Sequence, residues 1–192
     1  MKILKHFSTV FRHRHQVIRN ATHVGLFFHC LRHDLSKYSP TEFFTSAKYY
    51  QGTSSPVFKE REENGMFSNI ALHHLKRNKH HWEYWVDFYR GNIVIKTMPY
   101  KFALEAVIDI LAASQIYSKT KSKDFNGKEA VQYYEEKSKH YFITTASRTF
   151  ILECLKRFEQ SKWKNLKKKE TQKLYKEIAQ KYPNVEIMKE VL

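Results

Sequence analysis

A long apolar segment with a carboxylate near its centre constrains this chain more than any other feature. Residues 99–118, PYKFALEAVIDILAASQIYS, predict a buried helix that carries Asp109. The neighbours of Asp109 are apolar: Ala106, Val107, Ile108, Ile110, Leu111, Ala112 and Ala113. An unpaired buried ion costs several kcal/mol even after the protein relaxes around it. Asp109 therefore needs a cationic partner, which is either an Arg or Lys side chain or a metal ion.

Helical periodicity also dominates the rest of the chain, and 5 glycines and 4 prolines are few for an all-β or doubly wound protein. We expect an all-α fold with one helical bundle domain over residues 1–160 and a basic, Lys-rich helical extension over residues 161–192. The predicted helices cover residues 4–23, 26–37, 39–50, 57–76 (with a break near Asn64-Gly65), 99–118, 128–139, 145–160 and 163–181. The aromatic run NKHHWEYWVDFY can begin a further short helix, GNIVIKTMP is the only β-like run, and KTKSKDFNGK reads as an exposed loop.

Charge and cysteine content limit the partners and the compartment. The formal net charge of +15 attracts nucleic acid, nucleotides or anionic membranes without choosing among them. No apolar run approaches the about 20 residues that span a bilayer, so we expect no membrane partner. Cys30 and Cys154 lie far apart in helical segments and read as free thiols, which favours the cytoplasm.

The pair His33-Asp34 raises the same problem as Asp109, because it ends the very apolar helix predicted over residues 26–37. A buried carboxylate there needs a partner as well. The segment SPTE that follows predicts a new helix, with Ser39 as its cap and Glu42 closing a capping box.

Two further groups of histidines lie where helical periodicity turns side chains inward. His13 is one turn before Val17 on the inward stripe of the first helix, whereas His15 is displaced from that stripe by about 200° and is kept as a reserve. The run HHLKRNKHH holds four of the 11 histidines: His73, His74, His80 and His81.

The orientation of this run stays open at this stage. His74 shares a helix face with Phe67 and Ile70, but His73 can follow Met66 and Ile70 instead. The run also fits a solvated loop, or stacking on the aromatic residues that follow it. Inward imidazoles and carboxylates from separate helices suit a divalent transition metal, namely iron, manganese, zinc, cobalt or nickel.

The order His13, His33-Asp34, a histidine cluster and Asp109 resembles the HD-domain superfamily of metal-dependent phosphohydrolases, whose pattern H…HD…(H…H)…D lies on an all-helical scaffold. Four stretches, HRHQV, HDLSKYSPTEF, HHLKRNKHHWEYW and MPYKFALEAVIDILAA, look like an uncharacterised bacterial and phage branch of that superfamily, catalogued as a domain of unknown function. The resemblance covers roughly residues 10–150 and implies one or two metal ions. It implies these metal ligands: His13, His33, Asp34, His74, His80, His81 and Asp109.

The resemblance implies hydrolysis of a phosphate ester, with a nucleotide as one candidate substrate, by metal-activated water. Asp34 would bridge metals or steer the attacking water. Lys37 lies one helical turn beyond His33. It would be the second catalytic residue, next to Asp34, and would hold a substrate phosphate. Arg77 and Lys76 offer further phosphate contacts. Asn78 can cap the segment that presents the last two histidines of the run.

Three other functions fit the same sequence. A related helical scaffold with two irons supports oxygen-dependent chemistry. The segment SKWKNLKKKETQKLYK, with Trp163 for stacking, can bind a nucleic-acid backbone. A non-catalytic HD-like module would hold no metal.

Overall fold

The structure is a computed structural model that describes residues 2–117 and 125–189. This part of the chain forms nine α-helices, six of which contribute residues to one hydrophobic core, and a three-stranded sheet. The helices are α1 (Lys2–Val24), α2 (Phe27–Cys30), α3 (Pro40–Tyr49), α4 (Pro56–Glu63), α5 (Asn69–Leu75), α6 (Tyr100–Tyr117), α7 (Lys128–Lys137), α8 (Thr145–Ser161) and α9 (Lys168–Lys181). The strands are β1 (Val86–Tyr89), β2 (Asn92–Lys96) and β3 (Val185–Lys189).

Helix α6 is central because it is apolar on most of its circumference and packs against both α1 and α8. Val17 of α1, Ile108 and Leu111 of α6, and Phe150 and Leu155 of α8 are all fully buried in the same core. The predicted helix 99–118 is thus confirmed, and its burial places Asp109 at the edge of the protein interior. Within residues 2–117 and 125–189, no helix combines the length and apolar composition that crossing a membrane requires.

The small sheet makes the fold mostly helical rather than all-α. Its strand order is β1-β2-β3, and both pairings are antiparallel. The β-like run forms β2, as expected, but the aromatic run before it forms a 3-10 turn over Trp82–Trp85 and then β1. The third strand was missed because its pairing partner lies about 90 residues upstream, beyond the reach of local sequence patterns.

The basic C-terminal region contacts the core directly. Leu174 and Ile178 of α9 are buried there, and the Tyr175 hydroxyl donates a hydrogen bond to the Met98 carbonyl oxygen at 2.8 Å. The lysines of α9 point outward: Lys168, Lys169, Lys173, Lys176 and Lys181. The division into residues 1–160 and 161–192 stays a prediction.

The predicted helix over residues 26–37 is wrong in its second half. Helix α2 ends at Cys30, a series of turns follows, and a 3-10 turn covers Leu35–Tyr38. Between them Asp34 adopts a left-handed backbone with φ of 52°. Aspartate tolerates this conformation better than most residues, so no glycine marks the break in the sequence. The break removes the helical relation between His33 and Lys37.

Two other predicted segments can be compared with the structure. The segment 57–76 is interrupted as predicted, and Ser68 caps α5 by accepting a hydrogen bond from the Ala71 backbone N–H at 2.9 Å. Of the expected exposed loop KTKSKDFNGK, residues 119–124 lie outside the described residues. Of the remaining residues, Phe125 and Gly127 are buried, whereas Asn126 and Lys128 are exposed, so the expectation of an exposed loop holds only in part.

Candidate metal centre

Four segments that are distant in sequence bring the predicted ligands to one place. Helix α1 supplies one histidine, the turn after α2 supplies the His-Asp pair, and α6 supplies the last carboxylate. Helix α5 and the turn after it supply the remaining three histidines. His33 Nε2 and Asp109 Oδ1 are 3.4 Å apart, although 75 residues of chain separate them. The convergence that the sequence predicted is therefore present in the fold.

The first group of ligand atoms surrounds Asp34 Oδ2. His33 Nε2 lies 3.3 Å from this oxygen and His13 Nε2 lies 3.9 Å from it. Asp109 Oδ1 closes the group at 2.9 Å from His13 Nε2. These four side chains can place one ligand atom each around a shared centre.

The second group surrounds the other oxygen of the same carboxylate. Asp34 Oδ1 lies 3.4 Å from His74 Nε2 and 3.5 Å from His80 Nε2. His81 Nε2 completes this group at 2.9 Å from His74 Nε2. Asp34 therefore directs one oxygen to each group of imidazoles.

The spacing and the unsatisfied atoms of both groups fit bound cations. Metal–ligand bonds of about 2.0 to 2.2 Å put neighbouring ligand atoms about 2.8 to 3.6 Å apart in octahedral or tetrahedral geometry, close to most of these separations. Buried polar atoms normally have hydrogen-bond partners. Within the cluster, five buried atoms lack a partner of acceptable geometry: His13 Nε2, His33 Nε2, His80 Nε2, and Oδ1 and Oδ2 of Asp34. Buried atoms without a partner also occur elsewhere in the described residues, for example both ring nitrogens of His6. A mixed nitrogen and oxygen set suits first-row transition metals better than magnesium or calcium, which prefer oxygen alone.

Electrostatics keep the carboxylates ionised. Burial alone would raise the pKa of Asp34, but the charges of His33 and Lys37 outweigh burial and hold that pKa well below its usual range. The pKa of Asp109 is low for the same reason, with His13 and His33 outweighing burial. Burial lowers the pKa of His13, which favours the neutral imidazole that binds metals.

Lys37 contacts the centre from its more open side. Its Nζ lies 2.6 Å from Asp34 Oδ2, and its side chain is 30% exposed. The contact replaces the helical neighbour relation to His33 that the sequence suggested. Burial would lower the pKa of Lys37, but Asp34 outweighs it and raises that pKa, so the ammonium stays charged.

Two glutamates behind the imidazoles were missed by sequence reasoning. Glu42 Oε1 lies 2.8 Å from His74 Nδ1, and Glu105 Oε1 lies 2.9 Å from His33 Nδ1. The capping box assigned to Glu42 is wrong: Ser39 Oγ does accept a hydrogen bond from the Glu42 N–H, but the carboxylate turns to the histidines. Glu105 was detectable, because it precedes Asp109 by four residues and so lies on the same helix face.

The other candidate residues lie around the cluster. His15 is exposed and its Nδ1 lies 2.8 Å from the Phe11 carbonyl oxygen, so His13 is the inward histidine of α1. His73 lies outside the cluster. Arg77 is exposed and donates a hydrogen bond to the His73 carbonyl oxygen, so its role in substrate binding stays a prediction. Asn78 is buried and donates to the His74 carbonyl oxygen at 2.9 Å, and its own carbonyl oxygen accepts from the His81 N–H.

Metal binding at this centre should stabilise the fold. At free Co²⁺ 100 times the dissociation constant, binding adds about 2.7 kcal/mol. For a chain of this length, that raises Tm by about 5 to 10 °C. Thermal unfolding of chelator-treated protein with and without Co²⁺ measures the shift, with Mg²⁺ at the same concentration as the control. An unchanged Tm at saturating Co²⁺ would contradict a metal site in this cluster.

Comparison with known proteins gives a family but no activity. No curated protein and no solved structure matches the chain. Residues 2–181 match a family that is described as "Family of unknown function (DUF5662)". The match spans all seven candidate ligands and both supporting glutamates. The chain belongs to the DUF5662 family.

Proposed function

We propose that this protein is a metal-dependent phosphohydrolase that cleaves a phosphate ester with activated water. The observation that carries the proposal is the position of Asp34. Its two oxygens face two groups of imidazoles, and the Lys37 ammonium lies beside one of them. The resemblance to the HD-domain superfamily supports the same reaction class.

One or two ions, each iron, manganese, zinc, cobalt or nickel, would be held by the seven side chains of the cluster. Such an ion lowers the pKa of bound water to near neutrality and polarises a phosphoryl oxygen. The remaining steps belong to the protein. Asp34 would help to hold the ion and would orient the attacking water, because its carboxylate is ionised and immobilised by burial.

The substrate is expected to approach from the side of Lys37 and Asp109. The side chain of Asp109 is 20% exposed, whereas that of His33 is fully buried. Lys37 can hold a phosphate as a point charge at this opening. The net charge of +15 attracts anionic substrates in general, and a nucleotide is one candidate because its phosphate groups carry negative charge.

We also propose that the protein is located in the cytoplasm. Cys30 and Cys154 are both free and buried, as expected for a chain in a reducing compartment. The exposed lysines of α9 make nucleic acid a second candidate partner.

Hydrolysis assays test the proposal directly. Protein stripped of metal and reloaded with Mn²⁺, Co²⁺, Fe²⁺, Ni²⁺ or Zn²⁺ is expected to hydrolyse p-nitrophenyl phosphate, bis(p-nitrophenyl) phosphate or a nucleotide at least about 100-fold faster than the stripped protein. Phosphate release and product chromatography measure the rate.

The assay conditions separate the alternatives. Turnover that is equal with and without O₂ supports hydrolysis, whereas a strict need for O₂ would indicate a di-iron oxygen-dependent enzyme. Nucleic-acid binding that weakens steeply with salt and survives loss of Asp34, without any hydrolysis, would indicate a binding module.

A further inference from the structure

The two glutamates behind the cluster share one pattern of contacts. Each contacts the ligand imidazoles through Nδ1, on the side of the ring away from Asp34. Glu105 Oε1 lies 2.9 Å from His33 Nδ1 and 3.4 Å from His80 Nδ1. Glu42 Oε1 lies 2.8 Å from His74 Nδ1.

A second histidine occupies the other oxygen of each glutamate. His29 Nε2 lies 2.9 Å from Glu105 Oε2, and His73 Nδ1 lies 3.1 Å from Glu42 Oε2. These outer histidines are more exposed than the inner ones, with 23% and 16% of their side chains accessible. Each glutamate is therefore fixed between an outer histidine and at least one inner histidine.

We propose that Glu42 and Glu105 are positioning residues that set the tautomer of the metal-facing histidines. A neutral imidazole carries one N–H, and an ionised carboxylate can only accept a hydrogen bond. Glu105 accepts a hydrogen bond from His33 Nδ1, and Glu42 Oε1 lies 2.8 Å from His74 Nδ1. Asn78 Nδ2 also lies 3.1 Å from His74 Nδ1, but its two N–H groups have the His74 carbonyl oxygen and Ser36 Oγ as acceptors. A carboxylate beside Nδ1 keeps the proton on that nitrogen, so the Nε2 lone pair points to the centre. The inference rests on the proposed metal centre and deepens it.

The burial of the two glutamates agrees with this role. Glu42 is 1% exposed and Glu105 is 5% exposed, so the neighbouring imidazoles take the place of water as hydrogen-bond donors to the two carboxylates. Carboxylates that hold the second nitrogen of a ligand histidine also raise the basicity of the ligand nitrogen.

The two glutamates contact different ligand histidines, so substitutions can test their roles separately. Glu105 contacts His33 of the first group and His80 of the second, whereas Glu42 contacts only His74 of the second. Loss of Glu105 should therefore weaken both groups. Loss of Glu42 should weaken only the second group.

Glutamine separates the tautomer effect from simple packing. In Glu105→Gln the amide oxygen can keep accepting from His33 and His80 while the NH₂ group faces His29, whose tautomer can switch without harm. In Glu42→Gln the oxygen can keep His74 and the NH₂ group can face His73. Alanine removes the acceptor altogether, and the freed imidazole can take either tautomer.

Titration of the full chain with Co²⁺, followed by visible absorption, tests the proposal. Glu105→Ala is expected to lower Co²⁺ affinity about 10- to 100-fold at every site, and Glu42→Ala by a similar factor at one class of site only. Both glutamine variants should stay within about 10-fold of the unmodified protein. Glu60→Gln is the matched control, because Glu60 is also buried but binds Ser68 and the Ile70 N–H instead of a histidine.

A second measurement needs no variant. Nitrogen-15 NMR of the histidines in Zn²⁺-loaded protein, where each ligand imidazole carries one proton, should place the proton of His33, His74 and His80 on Nδ1. Protons on Nε2, or alanine variants that bind Co²⁺ as tightly as the unmodified protein, would overturn the proposal. Failure of the unmodified protein to bind Co²⁺ would overturn it together with the proposed function. Loss of Co²⁺ in the alanine variants without any hydrolysis by the unmodified protein would support it and count against the hydrolase alone.

Discussion

Replacing Asp34 with asparagine is expected to abolish both metal binding and phosphate-ester hydrolysis. Each oxygen of Asp34 faces a different group of imidazoles, so one substitution affects both groups. Asparagine removes the negative charge and turns an NH₂ donor toward Nε2 lone pairs. Partners one layer further out typically change metal affinity by about 10- to 100-fold, so loss of this direct contact should exceed about 100-fold. Co²⁺ titration and the hydrolysis assay measure the two effects.

Asparagine tests the role of the Asp34 carboxylate better than alanine does, because it tolerates the left-handed backbone at this position. Asp34 has a φ of 52°, and asparagine accepts the left-handed region more readily than alanine, which would add about 1 to 2 kcal/mol of strain. Asp87→Asn, on the exposed strand β1, is the matched control and should leave both measurements unchanged. Full metal occupancy in Asp34→Asn would contradict the ligand assignment.

Gly127→Ala is expected to destabilise the fold more than substitution of any other glycine in the described part of the chain. Gly127 has a φ of +86°, and an added Cβ would lie 2.5 Å from Phe158 Cδ1. The left-handed backbone costs about 1 to 2 kcal/mol for alanine. Because the Phe158 ring is 2% exposed and enclosed by the core, overpacking adds about 1 to 3 kcal/mol. Urea denaturation measures the loss in the free energy of unfolding.

Gly65→Ala isolates the backbone part of this effect. Gly65 also has a positive φ, +59°, but no described atom lies within 4 Å of its added Cβ. It should therefore show only the backbone cost of about 1 to 2 kcal/mol. Equal losses of unfolding free energy in the two variants would mean that the Phe158 ring moves aside at no energetic cost, which would contradict the predicted overpacking.

Residue periodicity identified the candidate ligands whose side chains point into the cluster, because each of them lies on a regular helix or next to one. The three- and four-residue spacing of α1 separated His13 from His15, and the apolar surroundings of Asp109 marked it as buried. It did not separate His73 from His74, because short α5 lets either residue follow an apolar stripe. The structure turns His74 inward and His73 to Glu42.

The parts that sequence did not predict depend on distant partners. Glu42 fits a helix cap as well as a histidine partner, and only the position of α5 against α3 decides between them. The left-handed Asp34 carries no glycine or proline signal. Strand β3 forms because β2 offers it an edge, which the residues of β3 alone do not reveal.

The order in which the ligands occur along the chain has a consequence for biosynthesis. Every candidate ligand precedes Ile110, whereas α8, α9 and β3, which cover α6 and complete the sheet, all follow it. At translation rates of about 5 to 20 residues per second, Asp109 is synthesised about 4 to 16 s before the last strand. During that interval the apolar surface of α6 lacks the elements that later cover it, whereas every candidate ligand has already been synthesised. For the proposed metal centre, the order of the helices along the chain thus lets metal binding begin before the core is complete.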